Sequence, residues 1–338
     1  MRVMVMRSTG TPLGDHPLHL EEREQPRAVG PFDVVVEVAA AGVCRTDLHL
    51  MTGEMAAPCP LVLGHENAGR VHEVGDLVRS VSVGDDVLCY PFLSSGMSAA
   101  ERDGLDTAAP DRRTPGITVD GGYAEYLLTH ERSMVKLPAG TDLAAVATLT
   151  DAGLAAYRGA KRAADTLRPG DCVVVVGAGG LGHLGVQILR ALSPAQVVAV
   201  DTDPSARDLA LECGAHEALA PDEARASLPA SARAVVDYVG SDATARLGLE
   251  LLTFGGGYYA VGVGGTLQLP IASLVEGEYH IEGVFVGTYT DLLEVTALCT
   301  SGRVRPRYTT YPLEHANEAL LDLEAGRVRG RAVLVPNG

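Results

Sequence analysis

Positive charge is scarce in this chain. Lys136 and Lys161 are its only lysines, and all basic residues together number 27 against 43 acidic ones, a formal net charge of −16. Phosphate backbones and anionic bilayers attract proteins through a basic face, so nucleic acid and membrane surfaces are set aside as partners. The near-total use of arginine over lysine reads as genome composition. Closely spaced cysteines are missing too: Cys44, Cys59, Cys89, Cys172, Cys213 and Cys299 are scattered, with no C-x-x-C. This is not a disulfide scaffold, and a reducing cytoplasm is the expected setting. Residues 1–10 lack the basic segment and apolar stretch of a secretory signal. The strongest apolar run near the middle, residues 172–176, is far too short to cross a bilayer.

What is present is ordinary for a globular protein: 46% hydrophobic and 21% charged residues over 338 positions, enough for two domains with separate cores. Residues 1–60 read as strands and turns, with β-type runs at 3–6 and 34–39, and the pattern continues at 66–74 and 86–90. Residues 94–121 are small, acidic and rich in glycine and proline, an exposed lobe or loop of the kind that is usually functional or mobile. From Asp142, which can cap a helix through residue 149, the pattern turns helical, and residues 151–154 open or continue another helix. Strands expected at 172–176, 196–200, 234–238, 258–263 and 281–286 then alternate with helices at 184–192, 207–213 and 247–252. That alternation predicts an α/β, doubly wound parallel sheet. Helices at 291–300 and 313–323 and a strand at 332–335 form a tail that returns to the first domain. The expected domains are therefore 1–150 with 289–338, and 151–288.

Gly177-Ala178-Gly179-Gly180-Leu181-Gly182 fits G-x-G-x-x-G between an apolar strand and a helix, the context a dinucleotide turn requires. Its glycines allow a tight turn and let the backbone approach a pyrophosphate. Asp201 ends the next strand, where a carboxylate accepts ribose hydroxyls and repels a 2′-phosphate, so NAD is favoured over NADP. Asp201 could also cap the following helix; Asp203 is the better placed cap.

The stretch Gly42-Val43-Cys44-Arg45-Thr46-Asp47-Leu48-His49 concentrates thiol, guanidinium, hydroxyl, carboxylate and imidazole, and Gly64-His65-Glu66 follows. Thiolate, imidazole and carboxylate are the zinc ligand types. A hydroxyl and an imidazole three residues apart, Thr46 and His49, suit a proton relay. Taken singly, Cys44 reads as a buried thiol and His49 as a surface imidazole; beside the dinucleotide turn that reading loses ground.

With Gly121-Gly122-Tyr123-Ala124-Glu125-Tyr126 and Gly330-Arg331 added, the chain resembles the zinc-dependent medium-chain alcohol dehydrogenases across nearly its full length. The resemblance implies a GroES-like β-rich catalytic domain, a Rossmann NAD-binding domain and a substrate cleft between them, in a homodimer or homotetramer. It implies Cys44 and His65 as ligands of a catalytic zinc. Asp151 alone reads as helix cap or ligand; the resemblance to bacterial secondary-alcohol dehydrogenases implies the ligand. Glu66 resembles the glutamate behind or transiently on zinc, and Asp47 the carboxylate that orients a ligand imidazole. The resemblance implies Thr46 and His49 as the proton relay. Arg45 and Arg331 are expected at the pyrophosphate, and the backbone near Val261 and Val286 at the carboxamide. Two departures stand out. The lobe that holds a second, structural zinc in most members carries Ser94, Met97, Ala100 and Ala108 at the thiolate positions, so one catalytic zinc and no structural one is expected. Ala206 replaces a basic residue at the adenosine ribose, with Arg207 as its substitute.

The expected activity is hydride transfer between NAD(H) and an alcohol or ketone, with secondary alcohols favoured by an apolar pocket of Thr46, Tyr90, Phe92 and residues near Leu292. A zinc-free quinone or enone reductase on the same fold is the alternative; Cys44, His65, Asp151 and Asp201 argue against it. A non-catalytic NAD-binding protein is a third reading, opposed by the Thr46–His49 pair.

Overall fold

Runs of valine build the sheets in both halves of the chain. The computed structural model describes residues 1–337 and divides into two compact units: Met1–Asp151 with Thr288–Thr296 and Pro306–Gly338, and Ala152–Gly287 with Ala297–Arg305. Among the described residues no helix is long and apolar enough to cross a membrane.

The first unit is β-rich. Its longest strand, Asp33–Val43, is flanked by Glu66–Val74 and Arg331–Val335, both antiparallel to it, and Tyr126–His130 pairs with its first half. Tyr308–Pro312, Asp86–Cys89 and Met134–Lys136 complete a seven-stranded sheet, and Arg2–Met6 pairs with Leu18–Glu22 and Leu61–Val62 in a smaller one. The alternating valines of Asp33–Val43, with Met4, Met6, Leu63 and Tyr123, form its core.

Residues 45–52 depart from the expected strands and turns. Arg45–Thr52 is a helix, set by local capping that outweighs the β-rich surroundings: Asp47 Oδ2 accepts the backbone N–H of Cys44 at 2.9 Å, and Gly53, at φ 81°, ends it. The 94–121 lobe is mostly irregular, with one helical turn at Ala99–Arg102 and a 3₁₀ turn at Asp106–Ala108.

The second unit holds six parallel strands. In spatial order they are Glu217–Leu219, Gln196–Val200, Cys172–Val176, Ala232–Asp237, Leu252–Ala260 and His280–Gly283. Numbered along the chain this is 3-2-1-4-5-6, the doubly wound order whose reversal lies beside Cys172–Val176. Val173, Val174 and Val175 have no exposure, as a strand covered on both faces requires. The Pro221–Ser227 and Ile271–Gly277 helices and the Glu217–Leu219 and Tyr308–Pro312 strands were not foreseen; each is short, with little apolar periodicity.

Candidate metal and cofactor sites

Cys44 lies just before the Arg45–Thr52 helix, His65 just before the Glu66–Val74 strand, and Asp151 within a π-helical turn, Leu149–Gly153. The chain brings them together. Asp151 Oδ2 is 3.4 Å from Cys44 Sγ and 3.4 Å from His65 Nε2. One ligand atom each from Cys44, His65, Glu66 and Asp151 falls within 4.8 Å of the others. Tetrahedral zinc with sulfur, nitrogen and oxygen ligands sets neighbouring donors about 3.4–3.6 Å apart. The π turn matters here, because one extra residue in the turn re-aims the side chain that follows. Asp151 caps nothing: the next helix, Leu154–Ala164, begins at Gly153 with no side-chain cap.

Electrostatics around the cluster call for a cation. Burial and the nearby Asp151 charge push the Cys44 thiol pKa up. Burial opposes a charged His65, yet the Asp47 charge and the Asp151 carboxylate hold its pKa well above the ordinary imidazole range. Burial would raise Asp151, but His65 brings it below the usual carboxylate value. His65 is 3% exposed, and neither ring nitrogen makes a well-formed hydrogen bond, a costly state for buried polar atoms. A divalent cation at Nε2 removes that cost and reverses the thiol's preference, since a coordinated thiol is deprotonated. The donor set of thiolate, imidazole and carboxylate fits zinc.

Two carboxylates lie beside these ligands. Asp47, with no exposure, sets Oδ1 3.5 Å from His65 Nδ1, while its Oδ2 accepts from Cys44 N–H and, at 2.9 Å, from the Tyr123 hydroxyl. Glu66 receives the Arg331 guanidinium at 2.5 Å, and both are buried. Arg331 is expected from the sequence on a pyrophosphate; in the structure its guanidinium pairs with Glu66. Glu66 and Arg331 begin the two strands on either side of Asp33–Val43, and Gly42 lies between them. A Cβ at Gly42 would collide with Glu66 Oε2; its absence lets the two side chains meet. Burial raises the Glu66 pKa against the pull of Arg331.

Thr46 Oγ1 is 3.7 Å from Cys44 Sγ, so it borders the ligand cluster. His49, one helical turn on, has a side chain 40% exposed, 3.9 Å from Glu54. Tyr90 stacks edge-on against Phe92 and Tyr289, with centroids 5.4 and 5.8 Å away. Tyr289, not named from sequence, is fixed by a 2.7 Å bond from its hydroxyl to Met134 O. Leu292 is fully buried.

In the second unit Gly177 takes φ 83°, and a Cβ on Gly182 would strike the Gly177 carbonyl, so both must be glycine. A Cβ at Gly179 would meet nothing within 4 Å, leaving the turn open to a phosphate at the start of the Gly182–Leu192 helix. Asp201 closes the turn from below: Oδ2 accepts Ala178 N–H at 2.7 Å and Oδ1 accepts Asp203 N–H at 2.9 Å. Asp203 caps the Pro204–Glu212 helix through Ser205 N–H. Arg207 lies beside Asp201 and donates to the Asp201 and Thr202 carbonyls at 2.8 and 3.1 Å. Val261 spends its N–H on Asp237 O at 2.9 Å, so its carbonyl is what it can offer a carboxamide. Val286 holds φ 47°, unusual for a β-branched residue and a mark of local backbone strain. Arg45 is exposed. Asp237, missed in the apolar run around it, is buried and gathers Val239 N–H, Gly240 N–H and the Tyr258 hydroxyl at 2.6–3.0 Å.

In the 94–121 lobe, Glu101 occupies the centre. Its carboxylate accepts from Gly96 N–H at 2.6 Å, Ser98 N–H at 2.9 Å and Ser98 Oγ at 2.6 Å. Bonding to Ser94 and Ser98 lowers its pKa to about 2.

Residues 30–139 match the alcohol dehydrogenase GroES-like domain family, and residues 180–301 the zinc-binding dehydrogenase family. The chain is 35% identical to an NAD-dependent alcohol dehydrogenase of Sulfurisphaera tokodaii, covering 95% of this chain and 97% of that one. It is 34% identical to an alcohol dehydrogenase of Geobacillus stearothermophilus, covering 94% and 95%. The solved alcohol dehydrogenase of Aeropyrum pernix superposes with a TM-score of 0.93 at 37% identity, covering 99% of this chain and all of that one. A cobalt- and zinc-bound thermostable alcohol dehydrogenase of Pyrobaculum aerophilum superposes at 0.90 with 31% identity, covering 99% of each. A GroES-like unit and a Rossmann unit with these two sites define a zinc-binding dehydrogenase. The chain belongs to the zinc-dependent medium-chain alcohol dehydrogenases.

Glu101 generates a pH prediction. Its folded pKa lies below its unfolded one, near 4.3, so its contribution is complete above that value and is lost as pH falls towards about 2. Amide-exchange protection at Gly96 and Ser98 should fall across that window, and Glu101→Gln should show the reduced protection already at neutral pH. Protection in Glu101→Gln equal to the parent's would remove Glu101 from its central place in the lobe.

Proposed function

We propose that this chain is an NAD-dependent alcohol dehydrogenase that holds one zinc ion on Cys44, His65 and Asp151 and acts on neutral secondary alcohols and their ketones. The convergence of Asp151 Oδ2 on Cys44 Sγ and His65 Nε2 carries the reading. Bound zinc supplies Lewis acidity that draws charge from the substrate oxygen, and NAD supplies the hydride acceptor. The protein's own groups do the rest. The Thr46 hydroxyl, beside the ligand cluster, takes the alcohol proton. His49, on the same helix face and partly exposed, passes it to solvent. Tyr90, Phe92 and Tyr289 supply apolar contact that suits an uncharged substrate. Glu66, held by Arg331, stands beside the Cys44, His65 and Asp151 ligands.

On the cofactor side, the glycine turn at Gly179 and Gly180 receives the pyrophosphate through the N–H groups of Leu181 and Gly182. Asp201 receives the adenosine ribose beside Arg207, and the backbone at Val261 and Val286 the carboxamide. A single zinc is supported by Glu101, whose carboxylate organises the lobe where Ser94, Met97, Ala100 and Ala108 stand. Scattered cysteines with no C-x-x-C pair support a cytoplasmic setting. A homodimer or homotetramer is supported by the one-sided pairing of His280–Gly283 and by Val263, Ile271, Val275 and Phe285 nearby in sequence, 56–85% exposed.

Two experiments test this reading. NAD should be preferred over NADP, and Asp201→Gly should erode the preference by removing a carboxylate from the 2′-phosphate position; equal kcat/KM for the two cofactors in the parent contradicts it. Asp151→Asn keeps size but removes charge. It should bind less than one zinc per chain and lose kcat/KM by at least the roughly 10–100-fold typical of losing an outer-shell partner, with Asp151→Cys regaining part of both. Full zinc occupancy and full turnover in Asp151→Asn would remove Asp151 from the ligand set.

A further inference from the structure

The Gly121–Tyr126 stretch is prominent in the sequence, yet nothing in the chemistry above uses it. Its backbone lies along the segment that ends at His65. Gly121 N–H donates to Val62 O at 2.8 Å, Tyr123 N–H to Leu63 O at 2.9 Å and Gly122 N–H to Gly64 O at 2.8 Å. The approach is close enough to demand glycine on both sides. A Cβ at Gly121 would strike the Gly64 carbonyl, and one at Gly64, which has φ 96°, would strike the Tyr123 ring. Asn67 Nδ2 adds a 3.0 Å bond to Gly64 O. The residue before the ligand histidine is therefore gripped from two directions.

Tyr123 extends the grip to the second ligand. It has no exposure, and its hydroxyl donates to Asp47 Oδ2 at 2.9 Å. The same oxygen accepts the N–H of Cys44, while Oδ1 lies 3.5 Å from His65 Nδ1. One buried carboxylate thus bridges the backbone of one ligand and the ring of the other. Two donors on Oδ2 fix the carboxylate plane and aim Oδ1 at the imidazole; with one donor the group can turn about its Cβ–Cγ bond. We propose that Tyr123 is a positioning residue for the metal centre, acting through Asp47 to hold the His65 imidazole and the Cys44 backbone in ligand geometry. The proposal rests on the zinc reading above.

Tyr123→Phe deletes the hydroxyl and keeps the ring against Gly64. Tyr126→Phe, in the same stretch but packed edge-on against His72 with centroids 4.9 Å apart, is the control. The readout is the rate at which zinc-loaded protein surrenders the ion to excess chelator, followed with a zinc indicator. Tyr123→Phe should release zinc about 10-fold faster than the parent, within the range typical of outer-shell partners, and its cobalt-substituted form should show shifted d–d bands. Tyr126→Phe should match the parent. Thermal midpoints of the metal-free parent and Tyr123→Phe should agree within a few degrees, and NADH affinity should be unchanged. Parent-like release and parent-like cobalt bands in Tyr123→Phe overturn the proposal, as does equal acceleration in Tyr126→Phe. A parent that holds no zinc overturns the zinc reading itself, and this inference with it.

Discussion

The chemistry of the first unit depends on the approach of the Asp151 carboxylate to the Cys44 thiol and the His65 imidazole, 3.4 Å from each. Without a cation the group is poorly matched. Burial and the Asp151 charge push the thiol pKa up, and against burial the Asp47 and Asp151 carboxylates raise that of the imidazole. With a divalent cation the same atoms become complementary, since thiolate and carboxylate balance its charge. Glu66 and Arg331 form a second neutral pair immediately outside. Buried ion pairs rarely add stability over apolar replacements, so a pair kept here points to the site it flanks. The large sheet makes this possible by placing Gly42 between the strands that carry Glu66 and Arg331.

The second unit works by different means. Its site is mostly backbone: a turn kept tight by Gly177 and Gly182, open at Gly179 and braced by Asp201 through Ala178 N–H. Charge enters at the strand end with Asp201, the residue proposed to receive the adenosine ribose. The contrast follows from the ligands. A metal ion needs a few donor atoms fixed in direction, which takes side chains locked by their neighbours. A pyrophosphate needs several N–H groups on one concave surface, which the start of a helix supplies.

The legible parts of the sequence were those whose cause is local. The glycine turn, the valine strand before it and Asp201 after it were readable because each depends on residues adjacent in the chain, and the parallel sheet followed from their alternation. Cys44 and His65 were readable as chemistry, and family resemblance put Asp151 with them. The Arg45–Thr52 helix was hidden by its β-rich setting, although Asp47 three residues after Cys44 was a capping signal. The partner of Arg331 could not be read, because it depends on the register of three strands and on the missing Cβ of Gly42. Glu101 was equally silent: the lost thiolates were visible, but the carboxylate that gathers the lobe is recognisable only when its donors are in place.

The central claim is that one zinc sits on one sulfur, one imidazole nitrogen and one carboxylate oxygen of this chain. X-ray absorption at the zinc edge, on protein loaded to one equivalent, tests it directly. The account predicts a single sulfur at about 2.3 Å, imidazole scattering, and nitrogen or oxygen neighbours at about 2.0–2.2 Å. A shell of two or more sulfurs, or no sulfur at all, would contradict it.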